Sequence, residues 1–165
     1  MAINRTQRGF VLLIAVIFTS VMLAFGITLG ALGYKQQLLS TSAAGSQDAF
    51  YVADAVLECL LYADQQQDAF NYADHSASTP PDLITCDNST ATDVSYTYTT
   101  APSDPDPKLL DIQRLSMDGG AHCADVMALK KSSGSTYLYA QGYNVPCASV
   151  TDTGRFSSRG LSSWY

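Results

Sequence analysis

The residues best able to do chemistry are four cysteines, Cys59, Cys86, Cys123 and Cys147. Their number is even, and no two of them lie at the CxxC or other close spacing that a zinc site needs. This pattern predicts disulfide bonds rather than a metal centre. Because disulfides persist in an oxidising compartment, the cysteines also predict that their domain is exported from the cytoplasm.

The other polar candidates do not form a catalytic set. His75 lies in a polar segment, and His122 stands next to Cys123, which cannot act as a nucleophile once it is in a disulfide. Asp54 and Glu58 are four residues apart, but no histidine or lysine accompanies them, so a solvated helix face is the better interpretation. The sequence therefore predicts that the protein is not an enzyme and needs no cofactor.

Two further carboxylates, Asp104 and Asp106, lie among the prolines of segment 102–107. They could offer oxygen atoms to calcium. The proline spacing is more typical of a stiff exposed turn than of a calcium loop, whose ligands alternate through a glycine-centred loop. We therefore predict no metal site, and calcium at this turn stays open as the lesser alternative.

The charge balance disfavours nucleic acid as a partner. The chain of 165 residues carries 15 acidic and 9 basic side chains, which gives a net charge of −6. Affinity for nucleic acid comes largely from lysine and arginine, which displace counterions from the phosphates. The length allows one compact domain in addition to a membrane segment.

The elements that must position these residues begin with an apolar segment, residues 10–33, which contains no charged side chain. As a helix it is longer than the roughly 30 Å hydrocarbon core of a membrane. Arg5 and Arg8 precede it and Lys35 follows, so the positive-inside rule predicts a cytoplasmic N-terminus and an exported C-terminal part. Two alternatives stay open, an uncleaved anchor and a signal peptide that is cleaved at small residues behind the segment.

The junction Arg8-Gly9-Phe10-Val11-Leu12-Leu13 places a charge directly before the apolar segment, with one glycine ahead of a phenylalanine. It resembles the class III leader of type IV pilins and type II secretion pseudopilins, which a prepilin peptidase cuts after the glycine before it methylates the new N-terminus. The resemblance covers Arg8 to about Leu32. It implies a leader of residues 1–9, a cut between Gly9 and Phe10, and N-methylation of Phe10. Glycine suits such a site because it brings no side chain into the protease.

One position departs from the family pattern. Most members carry glutamate at the fifth mature position, where it would pair with the N-terminal amine of a neighbouring subunit, whereas this chain has Ile14. The exceptions in the family tend to be minor subunits at the filament tip. The resemblance therefore implies a minor or initiating subunit rather than a major pilin.

Behind the junction the sequence predicts one continuous helix from Phe10 to about Tyr62. Apolar residues recur at helical spacing over this range, and no proline occurs before Pro80. Residues 10–33 are the predicted membrane part of this helix. Residues 34–64 are its predicted amphipathic continuation.

The rest of the chain, residues 65–165, is the predicted extracytoplasmic head. Its first part, residues 65–92, is polar and is predicted to be a loop. Side chains then alternate with a period of two, which predicts antiparallel strands around Tyr96 and Tyr98, around Leu110 and Ile112, over 123–129 and 136–144 as a hairpin, and over 156–164. The fold class is therefore α+β, a long N-terminal helix packed on a small C-terminal antiparallel sheet, which is also the architecture of pilins.

Within this arrangement we favour two particular disulfides. Cys123 with Cys147 would close the hairpin region, and Cys59 with Cys86 would tie the loop to the helix. Three pairings of four cysteines are possible, and one pair could also stay reduced and buried. Each loop of this length would contribute about 3 to 4 kcal/mol of stability.

The sequence thus predicts a structural subunit, a minor pilin or pseudopilin of a type IV pilus or a type II secretion-like filament. It would enter the cytoplasmic membrane as a precursor and then join a filament at the cell surface or in the periplasm, with a role in assembly, adhesion or secretion. Its partners would be the prepilin peptidase, the membrane and other pilin-like subunits, which it would contact through its apolar helix. The alternative is an uncleaved, membrane-anchored extracytoplasmic binding or adhesion protein.

Overall fold

The computed structural model describes residues 6–151 and 153–165, without the side chains of residues 6–9. The first five residues of the predicted leader, Arg5 among them, lie outside the described residues, as do the side chains of Arg8 and its neighbours. The chain divides into two compact units, an N-terminal unit that ends at Ser42 and a C-terminal unit, Ala43–Tyr165. The predicted α+β class is confirmed, since one long helix precedes a five-stranded antiparallel sheet.

The helix α1 runs from Thr6 to Gln67. Its apolar half contains three hydroxyl side chains, and each of them donates to a carbonyl oxygen of the preceding turn, as Ser20 Oγ does to Ile17 O at 2.8 Å. These bonds give each hydroxyl hydrogen an acceptor within the helix itself. The helix extends beyond the predicted end near Tyr62 and stops where Asp68 adopts a left-handed conformation, with φ 52°.

The main sheet is a meander in which each strand pairs with the next one along the chain. The strands are β3 (Thr92–Tyr98), β4 (Lys108–Met117), β5 (His122–Lys131), β6 (Thr136–Tyr143) and β7 (Ser158–Trp164). They lie in the order β3-β4-β5-β6-β7, and all four pairings are antiparallel. All of them fall where the alternation predicts strands, and the β5–β6 hairpin has a shorter turn than expected because β5 continues to Lys131.

The segment predicted as a loop contains structure that the sequence analysis missed. Strands β1 (Thr85–Cys86) and β2 (Ser89–Thr90) form a small hairpin. Its two-residue turn, Asp87 and Asn88, has φ values of 50° and 56°. Both residues tolerate the left-handed region better than most, which is what a tight hairpin turn requires.

The core of the C-terminal unit lies between α1 and one face of the sheet. Ala49, Ala53, Val56 and Leu60 recur at intervals of three and four residues and are fully buried. Small residues at the first two positions let the helix approach β6 closely at Gly142, whose neighbours are Ala49, Val52 and Ala53. The buried side chains facing this helix from the sheet include Ala124, Val126, Leu138 and Ala140.

Candidate functional site

The N-terminal unit presents an apolar helix surface. From Phe10 to Leu39 the large apolar side chains of α1 are between 46% and 71% exposed. The helix is long and apolar enough to cross a membrane. Exposed apolar surface on this scale is unfavourable in water, so these side chains require lipid or another protein around them.

The predicted processing site lies in the first turns of this helix. Gly9 belongs to α1, and Phe10 is the first of the exposed apolar side chains. Ile14 follows one turn later and is likewise exposed. The helix thus places Phe10 and Ile14 on one face. The position one turn after Phe10 therefore carries an apolar side chain and no carboxylate.

Three glycines, Gly26, Gly30 and Gly33, leave open space on the same helix. A Cβ added at any of them would meet nothing within 4 Å. Gly26 and Gly30 form a GxxxG pair, and the resulting notch lets a second helix come close.

All four cysteines of the C-terminal unit are in disulfides. Cys59 in α1 is bonded to Cys86 in β1, with Cα atoms 6.1 Å apart, and Cys123 in β5 is bonded to Cys147, with Cα atoms 4.7 Å apart. These are the two pairings that the sequence favours. Cys123 is therefore unavailable as a nucleophile beside His122.

The two histidines lie in separate surroundings. His75 Nε2 lies 3.0 Å from the carbonyl oxygen of Ala69, in the segment behind α1. His122 Nδ1 lies 3.4 Å from a carboxylate oxygen of Asp118. Within the described residues, no three histidine, cysteine or acidic side chains come together as a metal site would require.

The two carboxylates considered for calcium are each held by a lysine. Asp104 pairs with Lys108 at 3.2 Å, and Asp106 pairs with Lys131 at 2.7 Å. The Asp106 backbone N–H and then Lys108 stabilise the charged form of Asp104 and lower the pKa of its carboxyl. The carboxylate oxygens of both residues therefore form ion pairs that stabilise the turn between β3 and β4.

The structure also shows a buried ion pair that the sequence analysis missed. Asp64, in the last turn of α1, is buried, and Lys130 Nζ donates to its two oxygens at 3.1 and 3.0 Å. The Tyr165 hydroxyl donates to the same carboxylate at 2.6 Å. Burial, followed by this bond, raises the pKa of Tyr165 to about 12. The group ties the end of α1 to β5 and to the residue after β7.

A second buried polar group lies on β4. Asp111 and Gln113 point to the core side, and Gln113 Nε2 donates to Asp111 Oδ2 at 2.6 Å and to the Asp82 carbonyl at 3.1 Å. Gln113 Oε1 accepts from the Ile84 N–H at 2.9 Å. The bonds to Asp82 and Ile84 pair backbone groups of the segment that covers β4. Burial raises the pKa of the Asp111 carboxyl to about 6.

Comparisons of the chain with protein-family models, with curated proteins and with solved structures return no match. The functional assignment therefore depends on the sequence and geometry of the chain itself. Its described side chains take part in apolar packing, disulfide bonding and internal ion pairing.

Proposed function

We propose that the chain is a minor pilin or pseudopilin, cut after Gly9, N-methylated at Phe10 and assembled into a filament through α1. The observation that carries this proposal is the apolar surface of α1 from Phe10 onward, which is exposed and free of charge as far as Lys35. A cut after Gly9 removes Arg8 and leaves this surface intact, whereas a signal peptidase would remove it.

Assembly uses the same surface twice. In the membrane the apolar side chains are covered by lipid, and in the filament they are covered by like helices. Close packing replaces lipid contacts, and the open notch at Gly26 and Gly30 favours a close approach between helices. The protein is then an assembling subunit with no catalytic step.

Ile14 supports a minor or initiating role. It occupies the fifth mature position, on the same helix face as Phe10, and it cannot pair with the N-terminal amine of a neighbour. A subunit at the filament tip has no subunit above it to pair with. The C-terminal unit, with its two disulfides, would then face the oxidising exterior.

The experiment compares Gly9→Trp with Gly9→Ala in full-length chain co-expressed with a prepilin peptidase. Trp at this position should block maturation because it brings a large side chain into the cleavage site, whereas Ala should leave much of the processing. The readouts are gel mobility and the amount of mature chain in the sheared filament fraction. Equal processing of both variants, or filaments that contain uncut chain, would overturn the proposal.

A second candidate is a membrane-anchored binding protein that keeps its N-terminal residues. The observation that favours it is a groove of about 440 Å³ on the C-terminal unit, lined in part by Tyr51, Met117 and the Cys59–Cys86 disulfide. In this case Gly9→Trp would leave both chain length and function unchanged, and Tyr51→Ala would weaken binding.

A further inference from the structure

The main sheet has an outer face, which is the face opposite α1. Gly142, on the other face, packs against α1, and the strand register therefore assigns the alternate residues to the outer face. Two cross-strand rows of this face run from β4 to β7. One row is Leu110, Leu129, Tyr137 and Trp164, and the other is Ile112, Met127, Tyr139 and Ser162.

These rows form an apolar patch. Its β4–β5 half is aliphatic, with Leu110, Ile112, Met127 and Leu129, and its β6–β7 half carries the aromatic side chains. All of the aliphatic members are partly exposed, and Trp164 is 82% exposed. A hollow of about 470 Å³ opens between Leu129, Tyr137 and Trp164. A contiguous apolar patch of this kind marks an interaction surface.

Among the described residues, the charged side chains that the strand register places on the outer face all lie on β4 and β5, in the aliphatic half. Lys108 and Lys131 lie at one end of β4 and β5, paired with Asp104 and Asp106, and Arg114 and Asp125 lie farther along the same strands. The outward residues of β6 and β7 are uncharged. The patch therefore has a charged, aliphatic half and an uncharged, aromatic half.

The difference between the two halves of the patch favours one kind of binding partner, a second copy of the chain. A two-fold axis parallel to the strands, between β5 and β6, would lay the aromatic half of one copy over the aliphatic half of the other. Met127 would then face Tyr139 of the second copy, which is a favourable sulfur–aromatic contact. Arg114 and Asp125 would face uncharged residues, so no like charges would meet even though the chain is acidic. A sugar ligand fits less well because the four aliphatic side chains in the middle of the patch offer it no hydrogen bonds.

We infer that the outer face binds the outer face of a second copy of this chain, sheet against sheet, about this axis. Two sheets packed face to face lie about 10 Å apart, with strands crossing at about 30°. Ile112 on β4 then lies opposite Ser162 on β7 of the second copy. The two Ser162 residues lie farther apart, at about 14 Å sideways, because three strand spacings separate β4 from β7. This contact is independent of whether the N-terminus is processed.

The test mixes two differently tagged full-length chains in detergent, one carrying Ile112→Cys and the other Ser162→Cys, with a short thiol-reactive cross-linker. We expect this pair to cross-link more than Ser162→Cys with itself. Asp54→Cys, exposed on α1, is the matched control for proximity caused by the micelle, and it should not cross-link to Ser162→Cys. Equal yields for all pairs, or no cross-linking, would overturn the inference.

Trp164 provides a second readout because it is the one tryptophan in the sequence. Its emission should move to shorter wavelength as protein concentration rises. Met127→Lys should abolish this shift and the cross-link, since it places a charge in the middle of the apolar patch, whereas Ser132→Lys in the exposed β5–β6 turn should leave both unchanged. If glycan, lipid vesicles or another protein shift the emission while concentration does not, a second copy is not the occupant.

Discussion

Gly142 in β6 and Ala53 in α1 lie so close that a Cβ on Gly142 would come within 2.5 Å of the Ala53 backbone nitrogen. The Ala49 carbonyl oxygen lies against the same position. Both obstacles are backbone atoms of a long helix, so neither can move aside independently. The contact sets the distance between the helix and the sheet in the C-terminal unit.

Gly142→Ala should therefore destabilise the C-terminal unit by about 3 kcal/mol, the upper range for an overpacked core position. Denaturant unfolding followed by circular dichroism at a fixed protein concentration measures the loss. Gly33→Ala is the matched control, because a Cβ at Gly33 meets nothing within 4 Å and should leave this transition in place. Equal stability of the two variants would mean that the helix is not seated on β6 as described.

Breaking the buried ion pair should be more damaging than breaking an exposed one. Lys130→Met leaves the Asp64 carboxylate buried without its cation, and we expect a loss of about 3 to 5 kcal/mol. Lys108→Met breaks the more exposed pair with Asp104 and should lose less than about 1 kcal/mol. Urea unfolding of each variant measures the loss in the free energy of unfolding. Similar losses for the two variants would contradict the burial of Asp64.

Asp111 should make stability fall as the pH rises. Its pKa is about 6 in the folded chain, against an ordinary value of 3.8, because burial disfavours the charged form. Between these values the unfolded chain releases the proton while the folded chain retains it, so unfolding becomes easier as the pH rises. The loss is complete above about pH 6 and reaches about 3 kcal/mol.

Asp111→Asn should remove this slope, since the amide oxygen can still accept from Gln113 and carries no charge. The measurement is the free energy of unfolding of both proteins at several pH values from about 4 to 7. The variant should gain stability relative to the parent chain over this range. A constant difference would show that Asp111 titrates normally.

The two disulfides should differ in what they restrain. Replacing either pair by serines should lower stability by about 3 to 4 kcal/mol, because both close loops of similar length. Loss of Cys59–Cys86 should also expose residues 68–92 to limited proteolysis, since this bond ties β1 to α1. Loss of Cys123–Cys147 should leave that segment protected. Cleavage in the same places for both variants would contradict this division.

The parts of the fold that the sequence predicts correctly are those set by local pattern. Helical spacing from Phe10 onward predicts α1, and alternation predicts β4 because Leu110 and Ile112 alternate with Asp111 and Gln113. Alternation does not reveal which face is buried. The buried face of β4 is mixed: Asp111 and Gln113 lie on it between the buried Leu109 and Leu115. The covering segment brings backbone groups at Asp82 and Ile84 that need Gln113 as a partner.

Other features depend on partners distant in the chain. Asp64 resembles any polar residue near a helix end until Lys130 and Tyr165 are placed beside it. The β1–β2 hairpin had a local signal, the Asp87-Asn88 pair, but its strands are only two residues long and show no periodicity. The sequence did not reveal the apolar outer face or the burial of Asp111 and Gln113. Both depend on which side of the sheet α1 covers.

The mass of the N-terminal peptide, from chain purified out of cells that contain a prepilin peptidase, tests the proposed processing most directly. We predict a peptide that begins with N-methylated Phe10. A peptide that retains Met1, or one that begins near Gly33 or Ala44, would contradict the pilin-like function.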